Sequence, residues 1–284
     1  MNFSGLRLIR FCVLNATKNS TRIYNPASQL NSNQFVSDRN SHLKRPIFVE
    51  QKKYGNLPII CEKALPEDDD LLIDFYVTHF SLNEPLNATL NHTPEEAHEL
   101  MTALIKESTD NFILRDNEKV IGCYTLKKGF LNEKPRKQQR LEDYGQIVDS
   151  GPFKHRKNNI ITTILEASEC NIYDKMEPPC TYYYGMMGSL HPKYLGKKIA
   201  EITLIALMKF CISEGARYYI GDNTGDGVAK LYCKLPGFEI IDKFNYADFK
   251  VHGKSIIDKL VDGSKNTSVI YCDFENCKNI YLKD

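Results

Sequence analysis

Near the middle of the chain, a predicted strand runs into a short turn and then into a long helix. The strand is the apolar run 182–190, the turn contains Gly196, Lys197 and Lys198, and the helix covers 199–214. The first N–H groups of a helix have no partner within it, and the helix dipole favours negative charge there. The turn therefore predicts an anion site, such as one for a phosphate-bearing ligand. A plain turn with solvated lysines is the alternative.

The composition limits the classes of protein to which the chain can belong. Its 284 residues, 42% of them hydrophobic, are enough for one large domain or two small ones. A net charge of +1 gives no attraction towards nucleic acid or an anionic surface, so we expect neither nucleic acid nor membrane as a partner. The nine cysteines lack zinc-type spacing, which predicts reduced thiols in an intracellular protein.

The N-terminal segment differs in composition from the rest of the chain. Residues 1–37 carry four Lys or Arg residues and no Asp or Glu. This composition is similar to a mitochondrial transit peptide, and a disordered extension is the alternative. We therefore expect a cytoplasmic protein, with a mitochondrial location as the second option. The predicted organisation is an N-terminal extension over 1–55, one folded domain over 56–275 and a tail over 276–284.

Hydrophobic periodicity and turn residues predict the order β-α-α-β-β-α-β-α-β-α-β-β for the folded part. A polar segment rich in Lys and Arg, 129–158, is predicted to be a surface insertion between the second hairpin strand and the next helix. Alternation of this kind indicates an α/β fold.

The strand-turn-helix segment resembles the acetyl-CoA-binding segment of the GCN5-related N-acetyltransferases. In that family the strand ends in Val-x-Pro, Arg/Gln-x-x-Gly-x-Gly/Ala follows, and amides of the turn hold the pyrophosphate of coenzyme A. Here Leu195 stands at the Arg/Gln position and Lys198 at the first Gly position, while Ala200 fits. The resemblance implies a pyrophosphate cradle formed by Gly196, Lys197, Lys198, Ile199 and Ala200. It also implies that the backbone N–H of Leu190, at an expected bulge of the strand, is the oxyanion donor.

Three further segments extend the resemblance to residues 57–274. Segment 83–87 (Asn-Glu-Pro-Leu-Asn) resembles the Asp-Glu-Pro-Leu-Asn of insect-type arylalkylamine (dopamine) N-acetyltransferases. Segment 246–254 resembles the Tyr-Ala-Asp-Tyr-Lys-x-x-Gly-Lys of the same group, and segment 229–238 resembles a motif shared across the superfamily. The resemblance implies the acyl-CoA N-acyltransferase fold, a mixed central sheet with helices on both faces. Two of its strands splay apart so that coenzyme A can sit between them.

Acyl transfer to an amine makes chemical demands that suggest catalytic residues. A free alkylamine has a pKa of about 10 and is mostly protonated at neutral pH. The enzyme must remove that proton, polarise the thioester carbonyl and reprotonate the thiolate. The insect-type motif implies that Glu84 is the general base, and a loop acid that fixes the turn before Pro85 is the alternative. Tyr232 is the candidate donor to the thiolate, with a core tyrosine as the alternative.

The subgroup also carries two serines, four residues apart, before the Tyr-containing helix, and they are implicated in catalysis. By alignment they fall on Thr224 and Val228. Thr224 keeps a hydroxyl and is included among the candidate catalytic residues, whereas Val228 cannot relay a proton.

The sequence thus predicts transfer of an acetyl group from acetyl-CoA, the co-substrate, to a small primary amine, in the first place an arylalkylamine. Transfer is expected to be direct, without a metal or a covalent acyl-enzyme. The alternatives are a polyamine or amino-acid N-acetyltransferase and a catalytically weak coenzyme A-binding protein of the same fold. The departures at Leu195, Lys198 and Val228 leave open a different amine, slow turnover or an inactive site, whereas Glu84 and Tyr232 favour an active enzyme. We expect a small-molecule amine as the partner and a monomer or weak dimer.

Overall fold

A computed structural model describes the backbone of 47–49 and the residues 59–81 and 83–283. The segment considered above as a transit peptide lies outside these residues. The ten strands described are β1 (Ile47–Val49), β2 (Ile59–Lys63), β3 (Asp110–Asp116), β4 (Lys119–Leu131), β5 (Cys180–Leu190), β6 (Tyr218–Asn223), β7 (Phe238–Asn245), β8 (Lys250–Val251), β9 (Lys254–Ser255) and β10 (Asn266–Asp273).

Eight of these strands form one mixed sheet, in the order β1-β2-β3-β4-β5-β6-β10-β7. Neighbouring strands are antiparallel except β5 and β6, which are parallel. Strands β8 and β9 form a separate hairpin. The predicted mixed α/β sheet is therefore confirmed. In the sequence, one strand of its parallel pair precedes the predicted anion turn and the other follows it.

The helices described are α1 (Asp69–Phe75), α2 (Pro85–Thr89), α3 (Pro94–Glu107), α4 (Gly145–Asp149), α5 (Arg156–Ser168), α6 (Ile199–Ser213), α7 (Asp226–Tyr232) and α8 (Lys278–Tyr281). Local sequence explains where several begin. Thr93 caps α3, because its side chain accepts from the N–H of Glu96 while the Glu96 carboxylate accepts from the N–H of Thr93. A π-helical turn, Tyr76–Phe80, extends α1.

Apolar side chains pack on both faces of the sheet. On one face the core contains residues of α1, α3 and α5, and Ile113 of β3 points towards it. On the other face it contains residues of α6, α7 and α8, and Phe112 and Leu114 of β3 point that way. This alternation follows from the two-residue period of a strand. We call the first face the α5 face and the second the α6 face.

The predicted surface insertion 129–158 is partly wrong. Strand β4 continues to Leu131, and Val148 of α4 is buried in the core of the α5 face together with Tyr144, which directly precedes α4. The Tyr144 ring stacks on Phe249 with their centroids 4.9 Å apart. A contact between residues this far apart in sequence is invisible to local pattern analysis.

Two elements lie in segments assigned above to the termini. Strand β1 pairs with β2 and falls within 1–55, and α8 falls within 276–284 with Tyr281 buried. None of the described helices is both long and apolar enough to cross a membrane.

Candidate active site

A gap opens where β5 and β6 stop pairing. Their parallel register runs from Tyr182–Tyr218 to Gly185–Gly221, whereas β5 continues to Leu190 and β6 to Asn223. A cavity of about 570 Å³ lies at this gap. Its walls include Leu100 and Ile161 from the α5 face and Leu204 and Tyr232 from the α6 face. The cavity therefore connects the two faces of the sheet through the space between the two strands.

Backbone groups of β5 point into this gap. The N–H of His191 donates to the carbonyl of Ile121 in β4 at 2.8 Å. Alternate residues of an antiparallel strand turn their N–H to opposite edges, so the N–H groups of Gly188 and Leu190 point away from β4 and towards the gap. Leu190 is thus oriented as the predicted amide donor, and Gly188 is a second amide that the sequence did not suggest.

The bulge of β5 is not where the sequence led us to expect it. Thr125 pairs with Met187 and Leu126 with Gly185, so the extra residue is Met186 rather than one near Leu190. A bulge of this kind does not require a special side chain at the extra residue, so the run Gly-Met-Met-Gly gives no local indication of it. The bulge instead coincides with the last residues that β5 pairs with β6.

The turn before α6 contains two residues with left-handed backbone. Gly196 has φ = 74° and Lys198, the N-cap residue of α6, has φ = 60°. The family pattern has glycine at the position of Lys198, and the positive φ gives the physical reason. The Lys198 carbonyl accepts from the N–H of Ile202 at 3.1 Å, which leaves the preceding N–H groups of the helix without intrahelical partners.

The predicted cradle residues have different positions in this turn. Ala200 lines the cavity, and Gly196, Lys197 and Lys198 are exposed next to it in the turn. Ile199 is 1% exposed and packs in the core of the α6 face, so its amide, and not its side chain, is available to an anion. The Lys197 ammonium lies 5.1 Å from the centre of the Tyr194 ring.

The backbone of this turn leads to a prediction about stability. Lys198→Gly is expected to raise the free energy of unfolding by up to about 1 kcal/mol, because it relieves a left-handed lysine. Urea denaturation measures the change. Lys197→Gly is the matched control, since Lys197 does not have a positive φ, and it is expected to lower stability by about 0.5 kcal/mol or more. Equal effects of the two substitutions would contradict this account of the turn.

Glu84 lies at the start of α2, on the α5 face of the cavity. Its carboxylate accepts from the N–H of Leu86 at 3.0 Å and of Asn87 at 2.7 Å, and the Thr224 hydroxyl donates to it. Burial raises the pKa of Glu84, an effect that these hydrogen bonds from Thr224, Asn87 and Leu86 oppose. Glu84 is therefore a cavity-lining carboxyl that also caps a helix.

Thr224 lies directly after β6 and joins two of the segments that carried the resemblance. Its side chain contacts Glu84 of segment 83–87, and its carbonyl accepts from the Tyr246 hydroxyl of segment 246–254 at 2.7 Å. Tyr246 is fully buried, which fixes the position of this loop. Val228, the other aligned position, also lines the cavity but is 50% exposed and has no group for hydrogen bonding.

Tyr232 lies on the α6 face of the cavity, at the end of α7. Its hydroxyl is 2.9 Å from the Tyr219 hydroxyl, and burial raises its pKa to about 12. The phenol is therefore protonated at neutral pH. Its ring is also part of the core, so the core role and the donor role that the sequence offered are compatible.

The structure thus brings five of the nine predicted site residues to one cavity, on two sides, and places the other four in the adjoining turn and helix start. Glu84 and Thr224 contact each other on the α5 face, while Tyr232 and Ala200 line the α6 face. Gly188 and Leu190 lie between them. Within the described parts of the chain, no group of three or more His, Cys, Asp or Glu side chains is arranged to hold a metal ion.

Several residues at this cavity escaped the sequence analysis. Asp222 lines the cavity at the end of β6 and is hydrogen-bonded to Tyr184 and Ser168. Asn87 and Asn223 also line it, and both are nearly fully buried. The sequence contained one indication of Asp222 and Asn223, because an acid and an amide stand there at the end of an otherwise apolar strand.

Comparison with solved structures identifies the fold. No protein-family profile matches the sequence, and no curated protein is significantly similar to it. Arylalkylamine N-acetyltransferase 2 from Aedes aegypti superposes with a TM-score of 0.60 at 15% identity, over 76% of this chain and 98% of that one.

Two other similar structures come from different proteins. A polyamine N-acetyltransferase of Drosophila melanogaster, which forms N-acetylagmatine, has a TM-score of 0.58 at 15% identity, over 76% of this chain and 99% of its own. The C-terminal condensation domain of Ebony, in complex with beta-alanyl-dopamine, has a TM-score of 0.51 at 15% identity, with the same coverage. The chain therefore has the fold of these solved structures, the GCN5-related N-acetyltransferase fold that the sequence resemblance implied.

Proposed function

We propose that this protein is an acetyl-CoA-dependent N-acetyltransferase that moves the acetyl group directly to a small primary amine. The observation that carries the proposal is the cavity that joins the two faces of the sheet. It has a carboxyl–hydroxyl pair, Glu84 and Thr224, on one side and the turn of α6 on the other. A two-sided cavity allows an amine and a thioester to meet without a covalent enzyme intermediate.

Acetyl-CoA fits the α6 face. The free N–H groups at the start of α6 and the dipole of this 15-residue helix favour the pyrophosphate. Lys197 and Lys198 add positive charge beside it. The thioester would then extend into the gap, where the N–H groups of Gly188 and Leu190 can donate to the carbonyl oxygen as it becomes an oxyanion.

The amine fits the α5 face. Glu84 takes the proton from the ammonium, directly or through a water, and the neutral nitrogen attacks the thioester carbon. The carbon–nitrogen bond forms, and the nitrogen of the tetrahedral intermediate loses its second proton to water. The carbon–sulfur bond then breaks, the thiolate receives a proton from Tyr232, and Glu84 and Tyr232 return to their starting protonation states by exchange with solvent. Burial supports the role of Glu84, because it raises the pKa of this carboxyl and makes it a stronger base. The Tyr232 phenol, whose pKa is about 12, carries the proton that the donor role requires.

An arylalkylamine is the substrate class that we place first. The α5-face wall of the cavity is mostly apolar, with Phe80, Leu104 and Leu165 among its residues, which suits an amine with an apolar body. The additional carboxyl of Asp222 favours a second candidate, a polyamine, because a second cation needs a second acid.

Release of free thiol tests the function. Purified protein with acetyl-CoA is assayed against tyramine, dopamine, serotonin and spermidine at neutral pH. We expect thiol release with at least one aromatic amine at a higher kcat/KM than with spermidine. The reverse order would select the polyamine function. Acetyl-CoA binding without thiol release from any amine would select the catalytically silent alternative.

A further inference from the structure

A second pair of carboxyls lies at the gap, and the proposed chemistry does not use it. Asp222 and Glu169 approach each other, and the Tyr184 hydroxyl lies within hydrogen-bonding distance of both, 2.9 Å from Asp222 and 2.7 Å from Glu169. The Ser168 hydroxyl donates to the other oxygen of Asp222 at 2.7 Å. Burial, and then the neighbouring Glu169, raises the pKa of Asp222 well above its ordinary range, and burial also raises the pKa of Glu169. Two carboxyls this close disfavour each other's ionisation, so the state with one shared proton and one negative charge is favoured over the doubly ionised one.

The location of Asp222 relates the pair to acyl transfer. Asp222 is the first residue of β6 after Gly221, where pairing with β5 ends, and it lines the cavity. Side chains two apart along a strand point to the same face, so Asp222 and Thr224 share the α5 face. One strand step of two residues spans about 7 Å. Asp222 thus lies nearer than Thr224 and Glu84 to the point where the strands part.

Two unpaired amide groups indicate independently that a polar ligand belongs here. Asn87 is 2% exposed and its Oδ1 has no hydrogen-bond partner among the described residues. Asn223 is 6% exposed, and its Nδ2 likewise has no hydrogen-bond partner among the described residues. Both residues line the cavity that contains Asp222. Buried polar atoms of native proteins are nearly always hydrogen-bonded, so Asn87 Oδ1 indicates a bound donor, and Asn223 Nδ2, which leaves β6 on the opposite face from Asp222, indicates a bound acceptor.

We propose that Asp222, held in place by Glu169, Tyr184 and Ser168, binds the ammonium of the incoming amine beside the thioester. Asn87 Oδ1 is a second acceptor for the same ammonium, and Glu84 then removes its proton. One ammonium matches the single charge of the carboxyl pair. This inference rests on the proposed function and makes Asp222 a residue that selects protonated amines.

Other ionisable groups near the pair do not remove its negative charge. The ammonium of Lys127 in β4 lowers the pKa of Glu169 electrostatically. The phenols of Tyr173 and Tyr182 also interact with Glu169. Tyr246 approaches Asp222. Burial raises the pKa of Tyr173, Tyr182 and Tyr246, so these phenols remain neutral.

The test separates binding of the ammonium from its deprotonation. The double variant Asp222→Asn/Glu169→Gln removes the charge while keeping the shapes, and it is expected to raise KM for tyramine at least about tenfold. Its KM for acetyl-CoA is expected to remain as in the wild type. Glu169→Gln alone leaves Asp222 as the charge but alters its support, so it should raise KM for tyramine by less than the double variant does. Asp262→Asn removes another carboxyl from the cavity wall and should leave KM for tyramine within about twofold of the wild-type value.

A second substrate and a binding measurement complete the test. Trifluoroethylamine is largely neutral at neutral pH, so its KM is expected to be almost equal in the wild type and the double variant. Equal losses for both amines, or no loss for tyramine, would overturn the proposal.

Calorimetry of tyramine binding to protein loaded with coenzyme A reports on Asp222 even without turnover. Failure of the acetylation assay with normal tyramine binding would therefore count against the proposed function alone. Thermal unfolding verifies that the double variant is folded.

Discussion

Glu84→Gln is expected to lower kcat for amine acetylation by at least about 100-fold, the usual contribution of a general base. The amide keeps the size of the side chain, and its oxygen can still accept a hydrogen bond from the N–H groups at the start of α2, but it cannot act as a base. Steady-state thiol release with tyramine measures the change. KM for acetyl-CoA should remain the same, because Glu84 lies on the opposite side of the cavity from the turn of α6.

The helix-capping role of Glu84 requires a control. Loss of a capping residue costs about 1 kcal/mol of stability. Thr224→Ser keeps the hydroxyl that donates to Glu84 and should retain activity, whereas Thr224→Val removes that donor and should lose part of it. If Glu84→Gln lowers stability but leaves kcat unchanged, Glu84 is the loop acid of the alternative hypothesis.

The pH profile gives a further signature of the same residue. A general base acts only when deprotonated, so kcat at saturating amine should fall as the pH drops through the pKa of Glu84. Burial raises this pKa, so the fall is expected above the pH range in which an exposed glutamate titrates. In Glu84→Gln this acidic limb should disappear. A limb that persists in the variant would assign it to another group.

Ala200→Glu is expected to weaken acetyl-CoA binding at least about 100-fold. Ala200 lies in the first turn of α6 and lines the cavity. A carboxylate there faces the proposed pyrophosphate, and like charges placed together cost several kcal/mol. Isothermal titration with acetyl-CoA measures the dissociation constant directly, without turnover.

Two controls separate charge from size in this experiment. Ala200→Gln has nearly the same volume as the glutamate and should weaken binding much less. Ser213→Glu adds the same charge at the exposed far end of α6 and should leave binding unchanged. An equal loss for Gln and Glu would show steric exclusion, and no loss for either would remove the pyrophosphate from this turn.

Local sequence was sufficient to predict most elements of the fold. Strand β5 and helix α6 fall within two residues of their predicted ends, because a continuous apolar run and a broad apolar face each give a strong period. Helix α4 was missed, because it has only five residues and because the contact of Tyr144, directly before it, with Phe249 depends on tertiary structure. The fold family followed from resemblance of short motifs, which neither composition nor periodicity supplies.

The site was predicted only in part, for a similar reason. Glu84 and Thr224 were each identified from a motif, yet their contact joins residues 140 positions apart. Asp222 and Glu169 belong to no motif, and only folding places them together. The bulge at Met186 depends on the pairing register with β4, which a single strand does not reveal.

The product formed from tyramine and acetyl-CoA tests the central claim most directly, because tyramine offers both an amine and a phenol to the acetyl group. Mass spectrometry with fragmentation distinguishes the two products. We predict N-acetyltyramine formed in step with free thiol, at a rate that Glu84→Gln reduces at least about 100-fold. Acetylation on oxygen, or no acetylated product with any amine at saturating acetyl-CoA, would contradict a direct transfer to nitrogen in this cavity.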